Sequence, residues 1–304
     1  MKSPNVHKPI MLNEIVNFID FNNCNYFLDG TYGGGGHTNE LLSRGCKVVA
    51  LDNYEGSKKI ALENKKFGKN LFFFKSNFKD IDLIIYKNKI KKKFDGVLLD
   101  LGFSSNQLED PDLGISFKKN IPLNMNYADY TITASDILNN YNENQLTEMF
   151  YNYGEIYDAN KLSKYIILSR KNKKIKTTFD FIEILKNSGV NFASKKINFA
   201  TKPFQAVRIE ANKELENLKI FLDKINDFLE KNALIFIISF HSLEDRIVKN
   251  YFKLNSLKRD QSFKNNNNWG YEVITKRPLI ASNEELLENP RARSAKLRVA
   301  KFTC

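Results

Sequence analysis

Leu28-Asp29-Gly30-Thr31-Tyr32-Gly33-Gly34-Gly35-Gly36-His37 is the stretch on which the fold turns. A β-prone run, Asn25 to Asp29, precedes it, and a helix-like pattern, Gly36 to Arg44, follows. The glycines therefore sit at a strand-to-helix junction. Glycine lets a backbone approach a ligand closely, and the first turn of a helix offers N–H groups that have no partner inside the helix. The stretch predicts a loop that cradles a nucleotide-like molecule.

Which molecule is decided by what the loop lacks. A dinucleotide fingerprint needs Gly at relative positions one, three and six, with Gly or Ala in the last place. From Gly30 the second place falls on Tyr32, and from Gly33 or Gly34 the last falls on Thr38 or Asn39. No Gly-Lys-Ser/Thr closes the loop, so a nucleoside-triphosphate loop is excluded as well. A single nucleoside without pyrophosphate remains, and S-adenosylmethionine carries its amino-acid end where phosphate would lie. Sixteen residues beyond Gly36 a second strand, Lys47 to Asp52, ends in a carboxylate placed to accept hydrogen bonds from both ribose hydroxyls.

The same alternation continues on both sides. Strands are expected at Leu71 to Lys75 and Gly96 to Leu101, with helices at Tyr54 to Lys66 and Ile81 to Ile90. This is half of a parallel α/β sheet. The fourth strand runs into Asp100-Leu101-Gly102-Phe103-Ser104-Ser105-Asn106-Gln107, and ligands in open α/β sheets sit beyond the carboxyl ends of the strands. Asp100 is thus expected to face cofactor and acceptor.

After Leu101 the β rhythm stops. Residues 107–207 read as a loop followed by helices, a small helical domain inserted between two parts of one α/β domain, 1–106 and 208–304. Asn142 with Gln145 resembles a capping box, and Thr178 is expected to cap Phe179 to Leu185. The α/β pattern resumes with an amphipathic helix, Asn212 to Leu229, and a buried strand, Ala233 to Ser239. Ser242 with Asp245 is expected to open a helix, Leu243 to Leu254, leaving His241 to face the cleft. Two strands, near Tyr271 to Thr275 and Lys296 to Phe302, finish the sheet as a hairpin-like pair, and Asn265 to Asn268 form a loop tip.

The 304 residues carry 47 Lys and Arg against 35 Asp and Glu, a net charge of +12, which favours a polyanionic partner. Lys161 to Lys176 holds seven positive residues and no negative one, and Arg291 to Lys301 holds five and none. Both runs suit contact with RNA phosphates. Cys24, Cys46 and Cys304 are odd in number and lack CxxC pairing, and His7, His37 and His241 lack ligand spacing. No disulfide framework and no metal site are expected. Without a signal-like start or an apolar run of spanning length, a soluble, cytoplasmic protein off the membrane is expected, bacterial in the first instance or organellar.

These motifs, in this order, resemble the RsmH or MraW family of small-subunit rRNA cytosine-N4 methyltransferases over nearly the whole chain. The similarity covers His7 to Glu14, Asp29 to His37, Leu98 to Leu108, Gly114 to Phe117, Lys202 to Ile209, Ser239 to Val248 and Asn289 to Arg298. It implies a class I (Rossmann-like) S-adenosylmethionine-dependent methyltransferase sheet with an inserted small helical domain. It also implies N4-methylation of one cytidine in the decoding centre of 16S rRNA within the small ribosomal subunit. By the same resemblance the cofactor contacts are Gly35, Gly36, His37, Asp52, Phe78, Asp100 and Gln107, and Asp100 is the candidate catalytic residue. Arg208, His241, Ser242, Arg291 and Arg293, all in matched stretches, are the candidate substrate contacts. The chain departs from the family at Asn53 and Tyr54 and, by losing charges, at Leu113, Asn124 and Asn126. Those losses motivate the alternative of a non-catalytic rRNA-binding assembly factor that keeps the cofactor fold. A DNA or protein amine is the other acceptor class.

A cytosine amino group is a weak nucleophile because its lone pair is shared with the ring. The expected work of the site is to align nitrogen and methyl carbon and to accept the amino proton, at Asp100 or a carbonyl of Asp100 to Ser105, with the base drawn out of its stack.

Overall fold

The computed structural model describes residues 9–104, 107–108, 110–127, 132–192, 198–256 and 269–304, with backbone alone at 65–67. His7 and Lys8 of the opening motif, Ser105 and Asn106 after the fourth strand, and the expected loop tip at 265–268 lie outside these residues. The chain divides into two compact units, Met1–Ser104 with Leu215–Cys304, and Ser105–Glu214.

The first unit is a seven-stranded sheet: β1 Tyr26–Asp29, β2 Lys47–Asp52, β3 Leu71–Lys75, β4 Phe94–Asp100, β5 Leu229–Ser239, β6 Gly270–Val273 and β7 Lys296–Thr303. Their order is β3-β2-β1-β4-β5-β7-β6. The first five are parallel and β7 runs antiparallel between β5 and β6. This is the Rossmann-like α/β sheet the sequence predicts. Its strands read as continuous apolar runs because both faces are covered. Leu28, Val49, Leu51, Val97, Leu99, Ile235 and Ile237 enter one core. Their alternating neighbours Phe27, Val48, Ala50, Leu98, Leu234, Phe236 and Ile238 enter the other.

The helices of this unit are α1 Leu12–Asn17, α2 Gly36–Ser43, α3 Glu55–Glu63 and α4 Ile81–Lys87, all before the second unit. In the second unit come α5 Ala134–Asn140, α6 Glu143–Gly154, α7 Ala159–Asn172, α8 Thr178–Asn187 and α9 Thr201–Asn212. The chain then returns through α10 Glu214–Ile225, α11 Ser242–Leu254 and α12 Asn283–Glu288. Helices α4, α10 and α11 cover one face of the sheet and α1, α2 and α3 the other. Adjacent β1 and β4 lead to crossovers on opposite sides, which opens a crevice at their carboxyl ends.

The second unit has its own core, in which Phe181 lies 5.0 Å from Phe204 and 6.4 Å from Phe150 between ring centroids. The sequence draws this domain at 107–207; the compact unit runs from Ser105 to Glu214, because α9 places Ala206, Val207 and Ala211 in its core. The Asn142–Gln145 capping box on α6 is present.

Three expectations are corrected. The helix expected from Asn212 to Leu229 begins at Glu214 and ends at Ile225: Asn212 is the last residue of α9, which Lys213 closes at φ +52°, and Leu229 already opens β5. Thr177, not Thr178, caps α8, since it is Thr177 whose reciprocal partner Asp180 stands three residues on. His241, not Ser242, caps α11 with Glu244 as its reciprocal partner; Asp245, the acid three residues after Ser242, is instead taken by Arg298.

Candidate active site

The site grows from the end of β1. Asp29 is buried, accepts a hydrogen bond from the Thr38 hydroxyl at 2.6 Å and another from the Thr31 N–H at 3.0 Å. It thereby ties both ends of the glycine loop together. Burial pushes its pKa up to about 6 against the pull of those hydrogen bonds. Gly35, the N-cap of α2, has φ +77°, and a Cβ there would meet the Tyr32 hydroxyl at 2.6 Å, so both backbone and packing require glycine. Gly34 differs. It has no left-handed φ, and a Cβ there would meet nothing within 4 Å. No contact within the described protein demands glycine at this position.

The carboxylate of Asp52 closes the loop from the tip of β2. It accepts the Gly33 N–H at 2.7 Å and the Tyr54 N–H at 2.8 Å, one on each oxygen. The Ser57 side chain and the Asn53 N–H also reach it, so the loop and the start of α3 converge on this carboxylate. Burial raises its pKa, opposed by these N–H donors.

Asp100 stands at the tip of β4. Its backbone N–H donates to the Thr31 hydroxyl at 2.6 Å, which fixes the strand end against the loop. Its side chain is 20% exposed, yet Oδ1 is buried with no hydrogen-bond partner. Burial and then the charges of Asp29, Glu244 and Glu285 push its pKa up to about 8. The nearest basic ring is His37, whose Nδ1 is 3.9 Å from Asp100 Oδ2. His37 Nε2 lies 2.9 Å from the Ile10 carbonyl, which can only accept, so Nε2 carries a proton.

The second cluster follows β5. Glu244 is buried and accepts the Phe240 N–H at 2.9 Å and the His241 N–H at 3.3 Å. Its own N–H donates to His241 Nδ1 at 3.4 Å, and His241 Nε2 lies 3.3 Å from Glu244 Oε1. His241 is therefore not left over by the cap: its Nδ1 caps the helix, while its buried Nε2 makes no hydrogen bond and lies 3.3 Å from Glu244 Oε1. Ser242 is the exposed first residue of α11. Asp29, Glu244 and Glu285 were not singled out from sequence, though they set the field at Asp100. The spacing of Glu244 from His241 is a capping-box signal that could have found it.

Of the remaining candidates, Phe78 is half-buried; its Cβ lies 3.2 Å from where a Gly30 Cβ would be, which sets it beside the start of the loop. Arg291 and Arg293 are exposed on the turn Pro290–Ser294. Gln107 and Arg208 belong to the second unit, where Gln107 is buried and Arg208 pairs with Glu214 through two bonds of 2.8 and 2.9 Å. The basic run 291–301 is not uniformly a surface. Arg298 is buried and forms a two-pronged pair with Asp245 at 2.6 and 3.2 Å.

These residues fit the expected cofactor on two observations: open space over Gly34, and an unsatisfied buried carboxyl oxygen on Asp100 suited to a positively charged ligand. Among the described residues no helix is long and apolar enough to cross a membrane.

The family model described as the MraW methylase family matches residues 4–303. A ribosomal RNA small subunit methyltransferase H from Rickettsia massiliae is 39% identical over 305 residues, covering 97% of each chain. One of the same name from Hydrogenobaculum sp. is 40% identical over 302 residues, covering 98% of this chain and 96% of that one. Among solved structures, an rRNA methylase from Streptococcus thermophilus aligns with a TM-score of 0.42 at 11% identity, covering 100% of this chain and 99% of the other.

Proposed function

The chain belongs to the MraW methylase family, and from that premise we propose that it methylates small-subunit rRNA, at N4 of a cytidine in the decoding centre of 16S rRNA, in the bacterial cytoplasm. The cofactor is S-adenosylmethionine, which supplies when bound a methyl group on a positively charged sulfur. The observation that carries the reading is Asp100: a buried carboxyl with an unsatisfied oxygen at the carboxyl end of β4, beside the glycine loop.

The chain's own residues divide the work. The loop N–H groups and the α2 N-terminus would hold the amino-acid end of the ligand, Asp52 at the tip of β2 would take the ribose hydroxyls, and Phe78 would contact the cofactor. Asp100 is uncharged in the protein alone at neutral pH, since its pKa is near 8. A cation beside it favours the carboxylate, so binding readies Asp100 to accept a proton from the cytosine amino group. Positioning then dominates, with reacting atoms held about 3 to 3.5 Å apart. Gln107, Arg208, His241, Ser242, Arg291 and Arg293 serve substrate and cofactor from the segments that carry them, His241 through the cap it makes with Glu244.

The deciding test is mass mapping of methylcytidine in rRNA after hypomethylated small subunits, naked DNA and free protein are each incubated with the protein and cofactor. Methyl groups on N4 of one 16S cytidine are expected. Transfer only to DNA or protein would overturn the acceptor, and tight rRNA binding with no transfer would favour a non-catalytic assembly factor.

A further inference from the structure

The outer face of α7, with the turn before it, is unlike the rest of the second unit. Glu155 ends α6 at φ +50°, Ile156 is buried, and Tyr157 is left 93% exposed. Ala159, Leu162, Ser163 and Ile166 then form the buried face of α7. At 100° per residue the opposite face carries Lys161, Lys164, Leu168 and Lys171, all exposed. From 159 to 177 there is no acidic residue.

The cations of this segment are not equivalent. Arg170 donates to the Leu138 and Tyr141 carbonyls at 2.9 and 2.8 Å, Lys173 pairs with Asp180 at 2.6 Å, and Lys161 donates to the Gly189 carbonyl at 2.6 Å. Those three hold the helical unit together. Lys164, Lys171, Lys174 and Lys176 make no side-chain hydrogen bond or ion pair among the described residues, and Tyr157 stacks on no other ring among them.

We infer that this face is a docking strip for single-stranded RNA, in which Lys164 and Lys171 neutralise successive backbone phosphates and Tyr157 stacks a base. Lys164 and Lys171 are seven residues apart, about 10 Å along the helix, a span of a few nucleotides. A sequence-tolerant single-strand site needs this combination, a cationic track with an aromatic platform at one end. An acidic membrane surface suits it less, because the apolar face that a membrane helix would insert is the one α7 buries in its own core. The strip depends on the proposed rRNA activity only for the identity of its natural ligand; its test reads binding, not catalysis.

The test uses the full chain, a labelled mixed-sequence RNA of about twelve nucleotides, within the usual range of single-strand sites, and vesicles containing anionic lipid. The variants are Lys164→Glu with Lys171→Glu, Tyr157→Ala, and Lys249→Glu with Lys253→Glu as a control of equal charge change on exposed positions of α11. The α7 pair is expected to weaken RNA binding by at least about tenfold and to flatten its salt dependence by about 1.4 in log–log slope, roughly 0.7 per phosphate contact. Tyr157→Ala is expected to weaken binding about tenfold with the slope kept, the scale of one lost base stack. Cofactor affinity stays unchanged in all three. RNA binding by the α7 pair and Tyr157→Ala no weaker than by the α11 control overturns the strip, as does loss of vesicle binding with RNA binding retained. If the parent chain transfers no methyl group to small subunits while these RNA effects hold, the strip stands and the methylase reading alone fails.

Discussion

Replacing Asp100 by Asn should stabilise the first unit, increasingly so as pH rises. The carboxyl has an ordinary pKa near 3.8 when unfolded and about 8 when folded. A folded pKa above the unfolded one means that below pH 3.8 both states are neutral and nothing is lost. Between the two values the unfolded state ionises while the folded state resists, so stability falls as pH rises, levelling off above about 8. At about 1.36 kcal/mol per pKa unit, the ceiling is roughly 6 kcal/mol above pH 8, about 4 at pH 7 and about 2 at pH 5. The side chain is 20% exposed, so relaxation and water relieve part of this. The advantage of the Asn variant over the parent should therefore grow by about 2 to 4 kcal/mol from pH 5 to pH 8. Asp29 titrates on the same side but is present in both proteins and largely cancels. The assay is urea unfolding followed by the fluorescence of Trp269, the chain's single tryptophan, which packs 5.9 Å from both Tyr271 and Phe302 in the first unit. The same variant should lose about a hundredfold or more in methyl transfer, the scale of a missing charge-stabilising contact. A stability difference that stays constant with pH, or an Asn variant less stable than the parent at pH 8, would refute the account of a strained acid.

Three further outcomes follow from other residues. Gly34→Ala should leave the unfolding midpoint within about 0.5 kcal/mol of the parent, as surface changes do, yet weaken cofactor binding in calorimetry, because the protein leaves that space empty; full affinity would mean that the cofactor does not approach Gly34. Asp52→Asn should reduce cofactor affinity by about tenfold or more, the worth of a hydrogen bond to a charged group, and an unaltered dissociation constant would remove Asp52 from the ribose site. Asp245→Asn should cost about 3 to 5 kcal/mol by leaving the buried Arg298 guanidinium without its charge partner, read by the same Trp269 unfolding curve; a loss below about 1 kcal/mol would show that Arg298 finds another counter-charge.

What could be read from sequence was whatever is local. β2 and β3 are legible to the residue because each is an unbroken β-prone run. The Asn142–Gln145 box is legible because its two members are three residues apart. The end of α10 was not, since the apolar pattern carries on through Phe228 and Leu229 and the chain passes from helix into β5 with no glycine or proline to announce it. The placement of Thr177 and His241 as caps failed for a subtler reason. In each case two adjacent residues can cap: of the first pair only Thr177 has an acid three residues beyond, whereas His241 and Ser242 both do, and Asp245 is drawn away to Arg298. Asp52 and Asp100 were recoverable as strand-end acids, whereas the convergence of Asp29, Glu244 and Glu285 on Asp100 depends on β1, β4 and β5 being neighbours and on α12 lying close by.

That convergence separates three acids that look alike in the sequence. Asp29 is satisfied by Thr31 and Thr38, so its burial serves the loop and it has no need of a ligand. Asp52 is held by the Gly33 and Tyr54 N–H groups and by the Ser57 side chain, so it needs no cation and suits a neutral hydroxyl partner. Asp100 alone of the three has a buried oxygen without a partner, surrounded by other acids. A group in that position destabilises the unliganded fold, and a cation is what relieves it. The stability that Asp100→Asn recovers and the cofactor affinity it forfeits are then two measurements of one interaction, and they should change together across any series of substitutions at Asp29, Glu244 or Glu285 that alters the field at Asp100 without touching the ligand.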